Sequence, residues 1–521
     1  MKKIIFQIAG IILCGCLILL PAQNSLAFVP PDEIFASYEL IESWQIPEAT
    51  QYIQSLIKKY PKSGDVQFLY GRTEFFRGNY DFARNILNRV SENRKEVEEF
   101  KNLVNSTREA AEKFVSKETK HFIIRYQEGR DQVLLPFAEQ VLESSYQTLG
   151  DLFDFRPQEK VIVEFYPDRR SLAQVSPLTI KDIMTSGTVA LCKYNRIMMI
   201  SPASLVRGYN WMDTLSHEYI HYLLTRKSLN RFPLWLHEGV AKHFESRWRE
   251  ENGHLAPILE TVLASGLAND YTISLKSMMP SFAKLKTAED VQLAYAQVST
   301  MVQYMTYLQG EKIISYLLSD LAKNVPFDEA LENRLRTDLE TFQGNWKEHL
   351  KTQGLKIIPG LKPLKTRFKQ KNEDSEKNEY KELESRRARD LTFVGDILKS
   401  RNMLKAAILE YEKAINLSQA LSPILSNKLG LAYIFNKEYE PAEIILKKTI
   451  QHYPNFHTTL TNLGELYHDM GNYEQSQRYF EKALRINPFN PFVHLRLMEV
   501  YEHLGLEENK KQQEELYLLI N

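Results

Sequence analysis

Parts of this chain repeat at a fixed spacing, and that period limits the folds open to it more than any other feature. At an offset of 34 residues, Leu429-Gly430, Tyr433, Ala442 and Pro454 fall on Leu463-Gly464, Tyr467, Ser476 and Pro488. At 35, Gly395, Ala407, Tyr411 and Ala414 fall on Gly430, Ala442, Leu446 and Thr449. Small residues recurring beside aromatic ones at such a period describe stacked helix pairs, each burying a face that its neighbour covers. Gly430, Ala442 and Gly464 are packing positions on this reading, and residues 391–521 form an all-α array that ends in a partial repeat or capping helix, Val493 to Leu519. Nearer the start, Ala49 stands in phase with Ala83, and Gly71, Gly78, Tyr80 and Leu87 keep the same spacing. A second array is therefore expected within 31–114.

Between the arrays the pattern changes. His121 to Tyr126, Lys160 to Tyr166 and Asn195 to Ile200 carry β-branched or apolar residues and predict strands. Gln132 to Asp154 predicts a long helix, and helices return at Leu255 to Leu267, Thr287 to Leu318 and Phe327 to Leu350. An α+β domain over 115–355 is thus expected, flanked by helical repeats on both sides. The strand ending at Ile200, with Gly187 to Cys192 before it, is expected at the edge of a small sheet.

Inside that domain, Ser216-His-Glu-Tyr-Ile-His221 lies in a helical run, Thr214 to Leu224, that contains no Pro or Gly. Positions four apart differ by roughly 40° around a helix, so His217 and His221 project from one face and can grip one metal ion. A catalytic zinc takes three protein ligands and keeps one position open, so a carboxylate from a second helix completes the set. Such a helix starts at Pro233, with Trp235, Leu236, Val240 and Phe244 as its apolar stripe, and Glu238 is the expected ligand on it. Glu245, seven residues on and on the same face, is the rival ligand or a partner of a ligand histidine. His237 and His243 are six apart, about 240° around the axis, and do not form a second helical metal pair. Asp213, one turn before His217, reads either as a partner of that histidine or as a helix-start residue.

His-Glu-x-x-His followed by Pro-x-Trp-Leu-x-Glu-Gly-x-Ala resembles the gluzincin side of the zincin metallopeptidases, specifically the bacterial peptidase MA-like domain. The likeness runs over roughly Ser116 to Lys351 and is specific at the two helices. It implies that His217, His221 and Glu238 hold one Zn2+ ion and that Glu218 is the catalytic carboxylate. The sequence departs in spacing, with sixteen residues between His221 and Glu238, slightly fewer than in the best-known gluzincins. Zinc lowers the pKa of its water to about 7, and Glu218, one residue after a ligand, is placed to take that proton and hand it to the leaving amine. The likeness includes a Tyr-Ala-Gln stretch at Tyr295, which either donates to the oxyanion or packs in the core. It also implies that the edge strand pairs with a peptide substrate's backbone. The two arrays resemble tetratricopeptide (TPR) repeats, which implies a protein partner.

Leu361 to Asp390 is dense in charge and poor in large apolar residues, so it reads as a linker or an exposed helix. Lys+Arg 66 against Asp+Glu 66 leaves no net charge to recommend nucleic acid as a partner. At the N-terminus, Met1-Lys-Lys is followed by an apolar run from Ile4 to Leu20, and Ser25 and Ala27 fit small-x-small cleavage. A secretory signal over 1–27 is the expectation; a lipoprotein box with Cys16 acylated, or an uncleaved membrane anchor, are the other readings. All three place the bulk of the protein outside the cytoplasm, in the periplasm or its equivalent. Cleavage after Ala27 leaves Cys192 as the only thiol, so no intrachain disulfide is possible, and it is expected to be a buried small residue. Two functional classes stay open: an exported zinc metallopeptidase whose repeats recruit substrate or partner proteins, and a non-catalytic repeat scaffold or envelope assembly factor with a structural or peptide-binding zincin domain. Glu218 is the feature that separates them, since only a hydrolase needs it.

Overall fold

The computed structural model describes residues 29–91, 94–249, 255–279, 281–282, 285–369, 379–383, 385–418 and 420–521. The expected signal or lipoprotein segment therefore lies outside the described residues, and among these no helix is long and apolar enough to cross a membrane.

The first array consists of α1 (Pro31–Glu42), α2 (Ile46–Lys59), α3 (Gly64–Phe76), α4 (Tyr80–Leu87) and α5 (Lys95–Ala110). Gly71 lets α3 and α4 close on each other, because a Cβ there would stand 2.6 Å from the Leu87 side chain. A five-stranded sheet follows, in the order β1-β2-β3-β5-β4. Its strands are β1 (Phe114–Glu118), β2 (Phe122–Gln127), β3 (Val161–Tyr166), β4 (Ala190–Lys193) and β5 (Arg196–Ile200). β2, β3 and β5 run parallel, while β1 and β4 are antiparallel edges. β1, half exposed and ending in Ser116-Lys117-Glu118, lacks the apolar run that marks the other strands.

β3 is buried along its whole length, as an inner parallel strand of β-branched residues requires. Glu164 is its exception, fully buried with a carboxylate that accepts hydrogen bonds from Tyr80 (2.5 Å) and Tyr166 (2.7 Å). It also pairs with Arg196 at 3.0 Å and Arg125 at 3.2 Å, and the Arg196 guanidinium lies 4.6 Å from the Phe75 ring centre. Phe75 and Tyr80 belong to the first array, so this network bolts that array onto the sheet. Stripping one partner from a buried ion pair costs about 3–5 kcal/mol, and Glu164→Ala is expected to lower the urea unfolding free energy by that amount. A loss below about 1 kcal/mol would mean that the aromatic rings alone sustain Arg196.

Under the sheet lie α6 (Leu135–Phe153) and the central α9 (Trp211–Ser228), preceded by the short α7 (Arg169–Val175) and α8 (Ile180–Ser186). The helical lower half holds α10 (Leu234–Phe244), α11 (Pro257–Ala268), α12 (Ala288–Gln309), α13 (Lys312–Ala322), α14 (Phe327–Leu335) and α15 (Leu339–Thr352). The helical stretch expected over Thr287 to Leu318 is divided into two helices, because Gly310 takes φ +75° after α12 and turns the chain.

The second array comprises α16 (Arg386–Ser400), α17 (Leu404–Asn416), α18 (Pro423–Phe435), α19 (Tyr439–His452), α20 (His457–Asp469), α21 (Tyr473–Leu484), α22 (Pro491–Leu504) and α23 (Glu507–Ile520). A Cβ at Gly395, Gly430 or Gly464 would fall 2.5–2.7 Å from Tyr411, Leu446 or Phe480, so each glycine admits a large side chain of its partner helix. The chain ends in a full helix pair, and Leu516 and Ile520 of α23 enter the same core as Val133 and Leu134. Nearby, Gly208 comes so close to the turn after α21 that a Cβ would lie 2.2 Å from the Ile486 carbonyl oxygen.

The charged stretch is held down in its described part. Leu361, Phe368 and Leu383 are buried, and Glu382 accepts two hydrogen bonds from Arg207, at 2.9 and 3.0 Å. The Val206 N–H donates to Arg367 O and the Lys369 N–H to Ser204 O, while Leu421 N–H donates to Gly360 O. Among its described residues, apolar side chains are thus buried at three points, and Glu382 finds its partner on a distant element.

Candidate active site

α9 is buried on nearly every side, which is why its sequence is apolar around the axis apart from the His-Glu-x-x-His face. α10 starts after Pro233, whose lack of an N–H costs nothing at a helix start. Directly after Glu238, Gly239 lets α10 close on α12, because a Cβ there would lie 2.6 Å from the Val298 carbonyl oxygen. That approach brings Tyr295, one turn earlier on α12, beside the histidines of α9; its ring centre stands 6.5 Å from that of His217.

One donor atom each from His217, His221 and Glu238 lies within 4.8 Å of the others. The imidazole Nε2 atoms are 3.2 Å apart, and Glu238 Oε2 is 3.5 Å from His217 Nε2 and 3.6 Å from His221 Nε2. Bonds of about 2.0–2.1 Å at the tetrahedral angle set ligand atoms about 3.3–3.4 Å apart, so the triangle has the size that a small tetrahedral cation needs. Glu238 Oε2 is moreover buried without a hydrogen-bond partner. Two imidazoles and a carboxylate oxygen of this kind fit a divalent metal ion.

Both imidazoles are held from behind. Glu245 places Oε2 3.1 Å from His217 Nδ1 and accepts through Oε1 from Lys242 Nζ at 2.5 Å, so it backs the histidine and does not face the triangle. His221 Nδ1 meets His237 Nδ1 at 3.4 Å. Burial pushes His237 down to about 3, so this ring is neutral and can accept the His221 proton. Sequence reasoning considers His237 only as half of a helical pair; its place behind His221 depends on the mutual rotation of two helices. Asp213 does not reach the histidines. It accepts from Trp248 Nε1 (2.8 Å) and Arg249 (2.7 Å), tying the chain after α10 to the start of α9.

Burial disfavours charge on His217, but the facing carboxylates of Glu238, 3.5 Å away, and of Glu245, at 3.1 Å, overcome this and hold its pKa up at about 10. Glu238 shows the converse: despite burial, the neighbouring imidazoles keep it well below the usual carboxylate range. Glu218 is raised by burial, against the pull of His221 and His217, and takes a hydrogen bond from the Cys192 main chain on β4. Its Oε2 is buried without a partner. Burial, then Glu238 and Glu218, hold the Tyr295 hydroxyl protonated far above its ordinary range. His217, Glu218 and Tyr295 line a cavity of about 270 Å³, together with Lys242, Glu245 and the main-chain run 186–190 that leads into the edge strand.

Residues 149–352 match the Peptidase MA superfamily, and residues 458–490 match the tetratricopeptide repeat. The chain carries a Peptidase MA superfamily domain. This peptidase MA domain holds both helices of the candidate site. The uncharacterized protein YhcO of Bacillus subtilis (strain 168) is 24% identical over 265 residues, which is 46% of this chain and 74% of that protein. The uncharacterized protein ycf37 of Guillardia theta is 26% identical over 114 residues, 20% of this chain and 61% of that protein, so the match spans less than two thirds of it. Among solved structures, leukotriene A4 hydrolase from Saccharomyces cerevisiae is 12% identical, with a TM-score of 0.30 over 78% of this chain and 67% of that one.

Proposed function

We propose that this protein is an exported zinc-dependent metallopeptidase, with Glu218 as general base and its TPR repeats recruiting substrate or partner proteins. The observation that carries the reading is the triangle of His217, His221 and Glu238 with a buried, unpartnered Glu218 oxygen beside it. When bound, zinc supplies an acidified water and a Lewis acid for the scissile carbonyl. Glu218 accepts a proton at its free oxygen and returns it to the leaving amine, a role favoured by the raised affinity for protons that burial confers. The Tyr295 hydroxyl, kept protonated, donates to the oxyanion. The edge strand β4 pairs with the substrate main chain, giving affinity with little sequence preference of its own. Export rests on the N-terminal sequence. Chelation is expected to abolish hydrolysis of a denatured protein substrate and stoichiometric zinc to restore it; hydrolysis that survives complete removal of metal would exclude the metallopeptidase reading.

A further inference from the structure

We propose that residues 355–369 form a tether that fixes the separation of the two banks of the candidate active-site cavity and puts polypeptide entry under the control of the C-terminal array. The device acts on the proposed peptidase site and so rests on that reading; the tether itself is read from its own contacts. The banks belong to distant parts of the chain. One is α11, whose Leu259 lines the cavity, and the other is the main-chain run 186–190 at the end of α8. After α15 the chain passes from the first bank to the second, and over 355–369 it forms no helix and no strand, only an isolated bridge from Phe368 to Leu205.

On α11, Glu260 Oε1 accepts from the Lys356 N–H at 3.0 Å and Thr261 Oγ1 from the Ile358 N–H at 3.3 Å. At the far end the Thr366 hydroxyl lies 2.8 Å from where a Gly187 Cβ would stand, and Phe368 is buried in one cluster with Leu172 of α7 and Ile183 of α8. Between these ends the tether is pinned to the array. Leu361 is buried in one cluster with Ile424 and Leu425 of α18 and with Tyr453 just past α19. The Tyr453 Oη lies 3.4 Å from Lys362 N and 3.2 Å from Lys362 O. Pro359 and Pro363 flank this pin and restrict the backbone there, so a shift of the array that moves Leu361 is passed along a stiff run of chain toward Gly187. The grip can also be released. Its burial is concentrated at Leu361 and Phe368, while Ile357 and Leu364 are 52% and 39% exposed. A segment with so few buried apolar contacts opens far more readily than the domain unfolds.

Two variants test the tether. Leu361→Ala unhooks it from the array, and the pair Gly187→Cys with Thr366→Cys locks it to the bank. The Thr366 Cβ stands 3.3 Å from the Gly187 Cβ position, close to the roughly 3.5–4.5 Å that a disulfide spans. The oxidised and reduced forms are one protein, so each is the folding control of the other. Amide exchange of residues 186–190 in the zinc-loaded protein, read by mass spectrometry, is expected to quicken at least about fivefold in Leu361→Ala. It is expected to slow at least about fivefold when the cysteine pair is oxidised with glutathione disulfide, and to recover on reduction. Hydrolysis of casein is expected to follow exchange, rising in the first variant and falling on oxidation, while that of a blocked hexapeptide stays within about twofold. Exchange unchanged in Leu361→Ala, or unaffected by a disulfide shown by mass to join the two new cysteines, would overturn the tether. Exchange that responds as expected in a protein that cleaves neither substrate would leave the tether standing and remove the peptidase reading.

Discussion

Glu218→Gln is expected to keep its metal and to lose hydrolysis, with kcat reduced by about 10²–10⁴-fold. The substitution preserves shape and an oxygen that can still accept the Cys192 main-chain hydrogen bond, but it removes the proton acceptor. Glu218 lies off the triangle of donor atoms, so metal per protein, read by elemental analysis, is expected to equal that of wild type. Stability is a useful control. Burial disfavours the charged form of this carboxylate, so replacing it with a neutral amide is expected to leave the thermal midpoint unchanged or raised. Equal turnover by the two proteins would sink the general-base assignment even if the metal remained essential.

Removing Glu238 is expected to cost most of the bound metal, because two imidazoles alone make an incomplete set. Glu245→Ala and His237→Ala are expected to be milder, each weakening zinc by about 10–100-fold, since they remove what orients a histidine and leave the donor atom in place. The geometry separates the cases. Glu238 Oε2 approaches the Nε2 atoms that face each other, whereas Glu245 and His237 approach the Nδ1 atoms behind them. Competition against a chromophoric chelator would rank the three variants. Greater loss in Glu245→Ala than in Glu238→Ala would move the third ligand to Glu245.

What could be read from the sequence was whatever depends on short range. His217 and His221 share a face because they are four apart on one helix, and Glu238 follows a proline start one helix later. The inner strands announce themselves as unbroken apolar runs, whereas β1, with Ser116-Lys117-Glu118, does not. Less legible was anything set by how elements rotate about each other. The backing of His221 by His237 is such a case, as is the burial of Glu164 among groups from the first array. Charge density in Leu361 to Asp390 suggested a linker or an exposed helix because composition counts charges without their partners, and Arg207 and Glu382 are 175 residues apart in the chain. Gly239 carried a legible hint, a glycine inside a helix next to a candidate ligand, but its reason, the Val298 carbonyl, lies on α12.

The docking of α23 and the tight seat of Gly208 against Ile486 bear on how recruitment by the repeats should be studied. Deleting 391–521 would uncover Val133 and Leu134 and unseat the loop before α9, so a truncated protein that fails to act would report a damaged core, not a lost partner. Genetic dissection therefore belongs on solvent-facing side chains of the array, such as Phe435 and Ile444, at 51% and 63% exposure, where a substitution can cut a contact with another protein and leave the peptidase MA domain intact.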